Sequence, residues 1–204
     1  MRKVIVVFVI AFSTVNLFAQ TVTPVLELND AINNGQVTLT ANGSGGSSGM
    51  VINGFLQNLT SGELRINVII DRGIYLINSG SGQNMVGTQI YHSGGRYFSD
   101  GSQEFIILQP RVNVEVSFMA FCADLERDNP SSGESFSTGA MPPEIRTIAA
   151  KINRYMREHP GNENAGIVAQ LALWRSQNKT RTEIAEHFRF THDDWDSAGV
   201  LLSY

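Results

Sequence analysis

The chain has 204 residues, 15 basic against 19 acidic side chains for a formal net charge of −4, and a single cysteine. No basic face stands out that could displace counterions from a phosphate backbone, which argues against nucleic acid as a partner. That length buries a core without disulfide staples, and one cysteine could not supply them within the chain.

The first elements read as a targeting segment. Arg2 and Lys3 form a charged start, residues 4–12 an apolar run, and small and polar residues lead to Ala19 and Gln20. We expect a signal peptide over 1–19, cleaved after Ala19. The run is too short to span a bilayer, and no later apolar stretch is long enough. The mature chain is therefore expected to be secreted, periplasmic or held at the cell surface, and not membrane-spanning.

Residues 20–140 carry short apolar-alternating runs broken by Gly, Asn and Ser. Segments 36–41, 51–59, 63–70, 74–78 and 104–108 read as strands, with Leu64, Ile66, Val68 and Ile70 giving the two-residue period. NGSGGSSG (42–49) and NSGSG (78–82) read as turns or loops. No Gly-Lys-Ser/Thr ending or following helix supports a phosphate loop there. The clearest strand is 111–121. Val112, Val114, Val116, Phe118 and Ala120 share one face, and Cys122 falls on the same parity. Strands this short and close predict an antiparallel β-sandwich.

From residue 141 the period becomes helical. Pro142 and Pro143 suit a helix start, and Ile145, Ile148, Ala149, Ile152, Tyr155 and Met156 form one apolar stripe that His159-Pro160-Gly161 ends. A second helix, 164–177, is apolar nearly all round. Thr180 with Glu183 makes a capping box for a third, and Thr191 can cap a fourth. The expected fold is α+β, an antiparallel sandwich followed by about four helices (141–204) packed on it as one compact unit.

Inside the second helix stands one polar group, Gln170, in AQLALW (169–174). A buried carboxamide must find hydrogen bonds or cost roughly 1–3 kcal/mol. One chemistry joins it to Cys122. The thiolate can attack the side-chain carbonyl and expel ammonia, leaving an internal thioester. Positioning of this kind is worth effective molarities of about 10⁵–10⁸ M. An aromatic such as Phe121 or Trp174 would shield the bond from water, and Asp124 or Glu126 could accept the proton of an incoming amine.

Here the sequence resembles bacterial surface thioester domains. Phe121-Cys122-Ala123 looks like their aromatic–Cys–apolar motif, and Ala169-Gln170-Leu171-Ala172-Leu173-Trp174 looks like their Gln-x-Ala-aliphatic-Trp motif. The resemblance implies Cys122 as acyl acceptor, Gln170 as acyl donor, no cofactor, and covalent capture of an amine-bearing surface protein or other surface ligand. Only Lys151 and Lys179 follow the signal, which would spare such a bond from self-attack.

A bland reading stands beside it. A lone cysteine often behaves as a small core hydrophobe, and a buried glutamine can simply bridge two backbone groups. The chain would then be a non-covalent glycan- or protein-binding module with Cys122 as inert core. The helical pair in TRTEIAEHFRFTHDDW (180–195) has a helix-turn-helix outline but begins its second helix with acids. His187 and His192 match no standard metal-ligand spacing, and Asp124, Glu126 and Asp128 lack the remainder of an EF-hand loop. Asn58 and Asn178 match glycosylation acceptors. No Ser-His-Asp arrangement or paired carboxylates can be picked out by spacing, so no turnover enzyme has positive support.

Overall fold

The computed structural model describes residues 23–92, 97–99 and 103–204; the expected signal segment at 1–19 lies outside them. The chain enters through β1 (Val25–Leu26) and α1 (Leu28–Asn33), then lays down β2 (Val37–Gly43), β3 (Ser48–Asn58), β4 (Leu64–Asn67) and β5 (Ile69–Asn78). It continues with β6 (Met85–His92), β7 (Phe98–Ser99), β8 (Glu104–Leu108), β9 (Asn113–Cys122) and β10 (Ser135–Gly139). Four helices follow: α2 (Pro143–Glu158), α3 (Ala165–Ser176), α4 (Arg181–His187) and α5 (His192–Leu202).

The fold is α+β, but its main sheet is not half of a sandwich. It is a closed barrel in the order β10-β2-β3-β9-β6-β5, accompanied by a small sheet β1-β4-β8-β7. Closure rests on β10, which pairs with β2 through Phe136↔Ala41 and with β5 from Phe136↔Asn78 to Gly139↔Tyr75. The alternation of apolar residues is the same whether a sheet faces a second sheet or curls onto itself, so strand patterning leaves that choice open. The deciding strand carries a weak signal: of SFSTG, only Phe136 is buried. β6 was equally hard to read, because Met85 to Thr88 are buried in succession and its register shifts between Gly87 and Gln89.

The helices follow the sequence closely. Along α2, the buried residues Ile145, Ile148, Ala149, Ile152 and Tyr155 form the expected stripe, with Pro143 in the first turn. α3 is buried continuously from Val168 to Trp174. It packs between α2 and α5 and reaches β3 and β9 of the barrel. Helix and barrel share one apolar core. α4 and α5 each open on a capping box, Thr180 with Glu183 and Thr191 with Asp194. These reciprocal bonds satisfy amide donors that a helix start leaves without partners.

Candidate functional site

Cys122 is the last residue of β9, where the strand ends against the barrel rim. It is fully buried, as are Phe121 and Ala123. Its sulfur lies 3.5 Å from Met85 Sδ on the paired strand and 3.8 Å from Asn129 Oδ1 in the loop that follows. Burial, and secondarily the nearby Asp124 carboxylate, pushes the thiol up to about 12 from an ordinary value of 9.0. Taking charge out of water is the dominant cost for a group in such surroundings.

Gln170 lies one helical turn before Trp174 on α3, and it too is fully buried. Its carboxamide is docked on Cys122. The Cys122 backbone N–H donates to Gln170 Oε1 at 2.9 Å, and Gln170 Nε2 donates to the Cys122 carbonyl at 2.8 Å. The same Cys122 N–H also reaches Ser47 O at 3.0 Å. Gln177, which caps the C-terminus of α3, donates from Nε2 to Ala123 O at 3.0 Å. α3 thus grips the end of β9 with two glutamines seven positions apart. That spacing was visible in the sequence as two polar residues on one helical face, although Gln177 drew no attention there.

The remaining expected residues divide. Trp174 is buried one turn after Gln170 on α3 and meets Phe188 edge-on, with ring centroids 5.4 Å apart. Phe121 is buried within the core, one residue from the thiol. Asp124 is half-buried, accepts from the Asn84 N–H at 3.0 Å, and its charge is felt at the thiol. Glu126 is exposed and forms an ion pair with Lys179, whose hydrogen bond holds its carboxyl below the usual range. Of the two, Asp124 is the one electrostatically coupled to Cys122.

Other motifs resolve on the same geometry. His192 faces Asp196 at 3.6 Å and Arg181 at 3.0 Å on the α5 surface. Among the described residues, no three His, Cys, Asp or Glu gather as a metal site. Asn58 is wholly buried, its amide donating to Gly62 O and Leu108 O, so the folded chain offers no acceptor there for a glycan.

Chemically, the arrangement presents a thiol and a carbonyl carbon on contacting residues in a dry setting. The Cys122 N–H already polarises the Gln170 carbonyl, and its distance lies in the range useful for stabilising a developing oxyanion. The raised thiol works against attack, since the thiolate is the nucleophile. Near neutral pH a thiol of this kind is ionised to a fraction of about 10⁻⁵. Were the two groups to react, effective molarities of about 10⁵–10⁸ M would work against that deficit. Comparison with protein-family models, with curated proteins and with solved structures gave no match.

Proposed function

We propose that the chain is an exported or cell-surface binding protein that closes an internal Cys122–Gln170 thioester and uses it once to attach itself covalently to an amine on a surface partner. The observation that carries this reading is the paired hydrogen bonding of the Gln170 carboxamide to Cys122 N–H and C=O, both residues being fully buried. In the first step a sulfur–carbon bond forms at the carboxamide carbon, the carbon–nitrogen bond breaks, and ammonia leaves with the thiol proton. In the second an amine nitrogen bonds to that carbon, the carbon–sulfur bond breaks, and the amine proton returns to sulfur. No cofactor is needed. Both lysines in the described chain are engaged, Lys151 with Leu202 O and Lys179 with Glu126, which limits attack from within.

Intact mass of the purified protein tests the proposal. A deficit of one ammonia is expected, reversed with a gain of one methylamine on treatment with that amine, and abolished by Cys122→Ala or Gln170→Ala. Full mass with a titratable thiol, and with glutamine rather than glutamate at position 170 by peptide sequencing, would refute it.

That second outcome belongs to an alternative that reads the same hydrogen bonds together with the raised thiol. Gln170 spends both ends of its carboxamide on backbone groups, and burial holds the thiol un-ionised. Those facts suit a non-covalent glycan- or protein-binding module in which Cys122 is inert core.

A further inference from the structure

The pairing of β5 with β6 shifts register between Ile69 and Ile74, and such irregularities re-aim the side chains within them. Inside this one Arg72 is exposed and Gly73 takes φ +68. A Cβ at Gly73 would meet Ala149 Cβ at 3.0 Å, so the backbone is packed tightly there. It is also pinned from α1, where Asn29 Nδ2 donates to Gly73 O at 2.6 Å. Arg72 lines a cleft of about 480 Å³ between α1, β5, β10 and the start of α2, and Arg146 of α2 lines it too. Clefts that hold small ligands run from about 300 to 1,000 Å³.

Both arginines are exposed, and among the described residues neither has a carboxylate within ion-pair distance. Arg146 spends one nitrogen, Nη2, on Met141 O at 3.4 Å. Asp30 in the same wall offsets one of the two charges, and Glu144, two positions before Arg146, is not part of the wall. One positive charge is thus left unmatched in a chain whose net charge is −4. Two planar guanidinium forks on one space suit a carboxylate or a sulfate, which each can bind through paired N–H donors.

The other polar groups of the wall are neutral and suit hydroxyls. Asn29 Oδ1 is left to accept once Nδ2 is spent on Gly73 O. Asn33 and Thr138 are exposed and can each donate and accept. Tyr75, whose hydroxyl is engaged with Asn84, adds half-buried aromatic surface. We propose that this cleft binds an anionic sugar, its acid group held by Arg72 and Arg146 and its hydroxyls by Asn29, Asn33 and Thr138. The cleft shares no wall residue with the Cys122–Gln170 pair, so it stands whether or not the thioester forms. It gives the chain a reversible, salt-sensitive hold on an acidic surface glycan.

The test titrates the whole mature protein with glucuronic acid, a glucose sulfate ester, glucose and acetate, followed by backbone amide NMR shifts at low and at physiological salt. One acidic sugar should bind at least about tenfold tighter than glucose and than acetate, and more weakly as salt rises. The better of the two acidic sugars tells carboxylate from sulfate. Arg72→Gln and Arg146→Gln should each lower that affinity by about tenfold, the worth of one charge-assisted hydrogen bond. Arg154→Gln removes an exposed arginine that pairs with Glu158 outside the cleft, and should leave it unchanged. Should one cleft variant fail to fold, the other and the ligand series still decide. Acidic sugars that bind no better than glucose or acetate overturn the proposal. So does a short oligoglutamate that outcompetes them, or an affinity that survives both arginine substitutions.

Discussion

If the proposed thioester forms, opening it should weaken the fold by an amount that the chain positions fix. A Cys122–Gln170 bond would tie together residues 48 positions apart, β9 to α3. A cross-link closing a loop of that length removes about 4 kcal/mol of entropy from the unfolded chain at room temperature. For a chain of this size each kcal/mol shifts Tm by about 2–4 °C, so cleavage should lower Tm by about 8–16 °C. Methylamine cleaves without cutting the backbone, and the methyl it leaves on a fully buried side chain can only add to the loss. The assay is circular-dichroism melting before and after methylamine, with masses taken on both samples. Cys122→Ala, which never carries the cross-link, should melt near the treated sample and ignore the amine. A protein that gains the mass of methylamine yet keeps its Tm would refute the reasoning, because the bond broken could not then have spanned these two elements.

Three further outcomes are expected. Gln170→Glu puts a carboxyl where one oxygen faces the Cys122 carbonyl; the buried group resists ionisation, so stability should fall as pH rises from about 4 towards 7, by up to about 3–4 kcal/mol in urea unfolding. In the amine-opened protein the Cys122 thiol is held un-ionised when folded and released near 9.0 when unfolded, so the unfolded chain binds fewer protons above that value and stability falls as pH rises, by about 1 kcal/mol from about pH 9 to 10; the unopened thioester has no proton there and should lack this slope. Thr191→Ala removes a hydroxyl that accepts from the Asp194 N–H at 3.1 Å and donates to the buried Asp194 Oδ2 at 2.7 Å, and should cost about 1–2 kcal/mol in urea unfolding with no change in the rate of amine addition.

The four C-terminal helices were legible because their signals are local. A stripe at Ile145, Ile148 and Ile152, prolines at a start, and Thr-x-x-acid boxes at 180 and 191 each act within a few residues. The long strands β3 and β9 were legible for the same reason, through period-two burial. β5 was not, since the alternation at 64, 66, 68 and 70 runs across its boundary with β4 and 74–78 reads as a separate strand, whereas Ile69–Asn78 is one strand whose register shifts between Ile69 and Ile74. The barrel was not, because closure depends on β10 finding two partners far away in sequence, and a five-residue strand with one buried side chain does not announce them.

The candidate site divides along the same line. That Cys122 and Gln170 are chemically out of place could be read from residue types against apolar neighbours, since burying a thiol or an amide has a cost that depends only on what surrounds it. That they touch could not. Contact between β9 and α3 is set by how the barrel closes and how α3 wedges between α2, α5 and its rim, and only the packing of the whole chain fixes those distances.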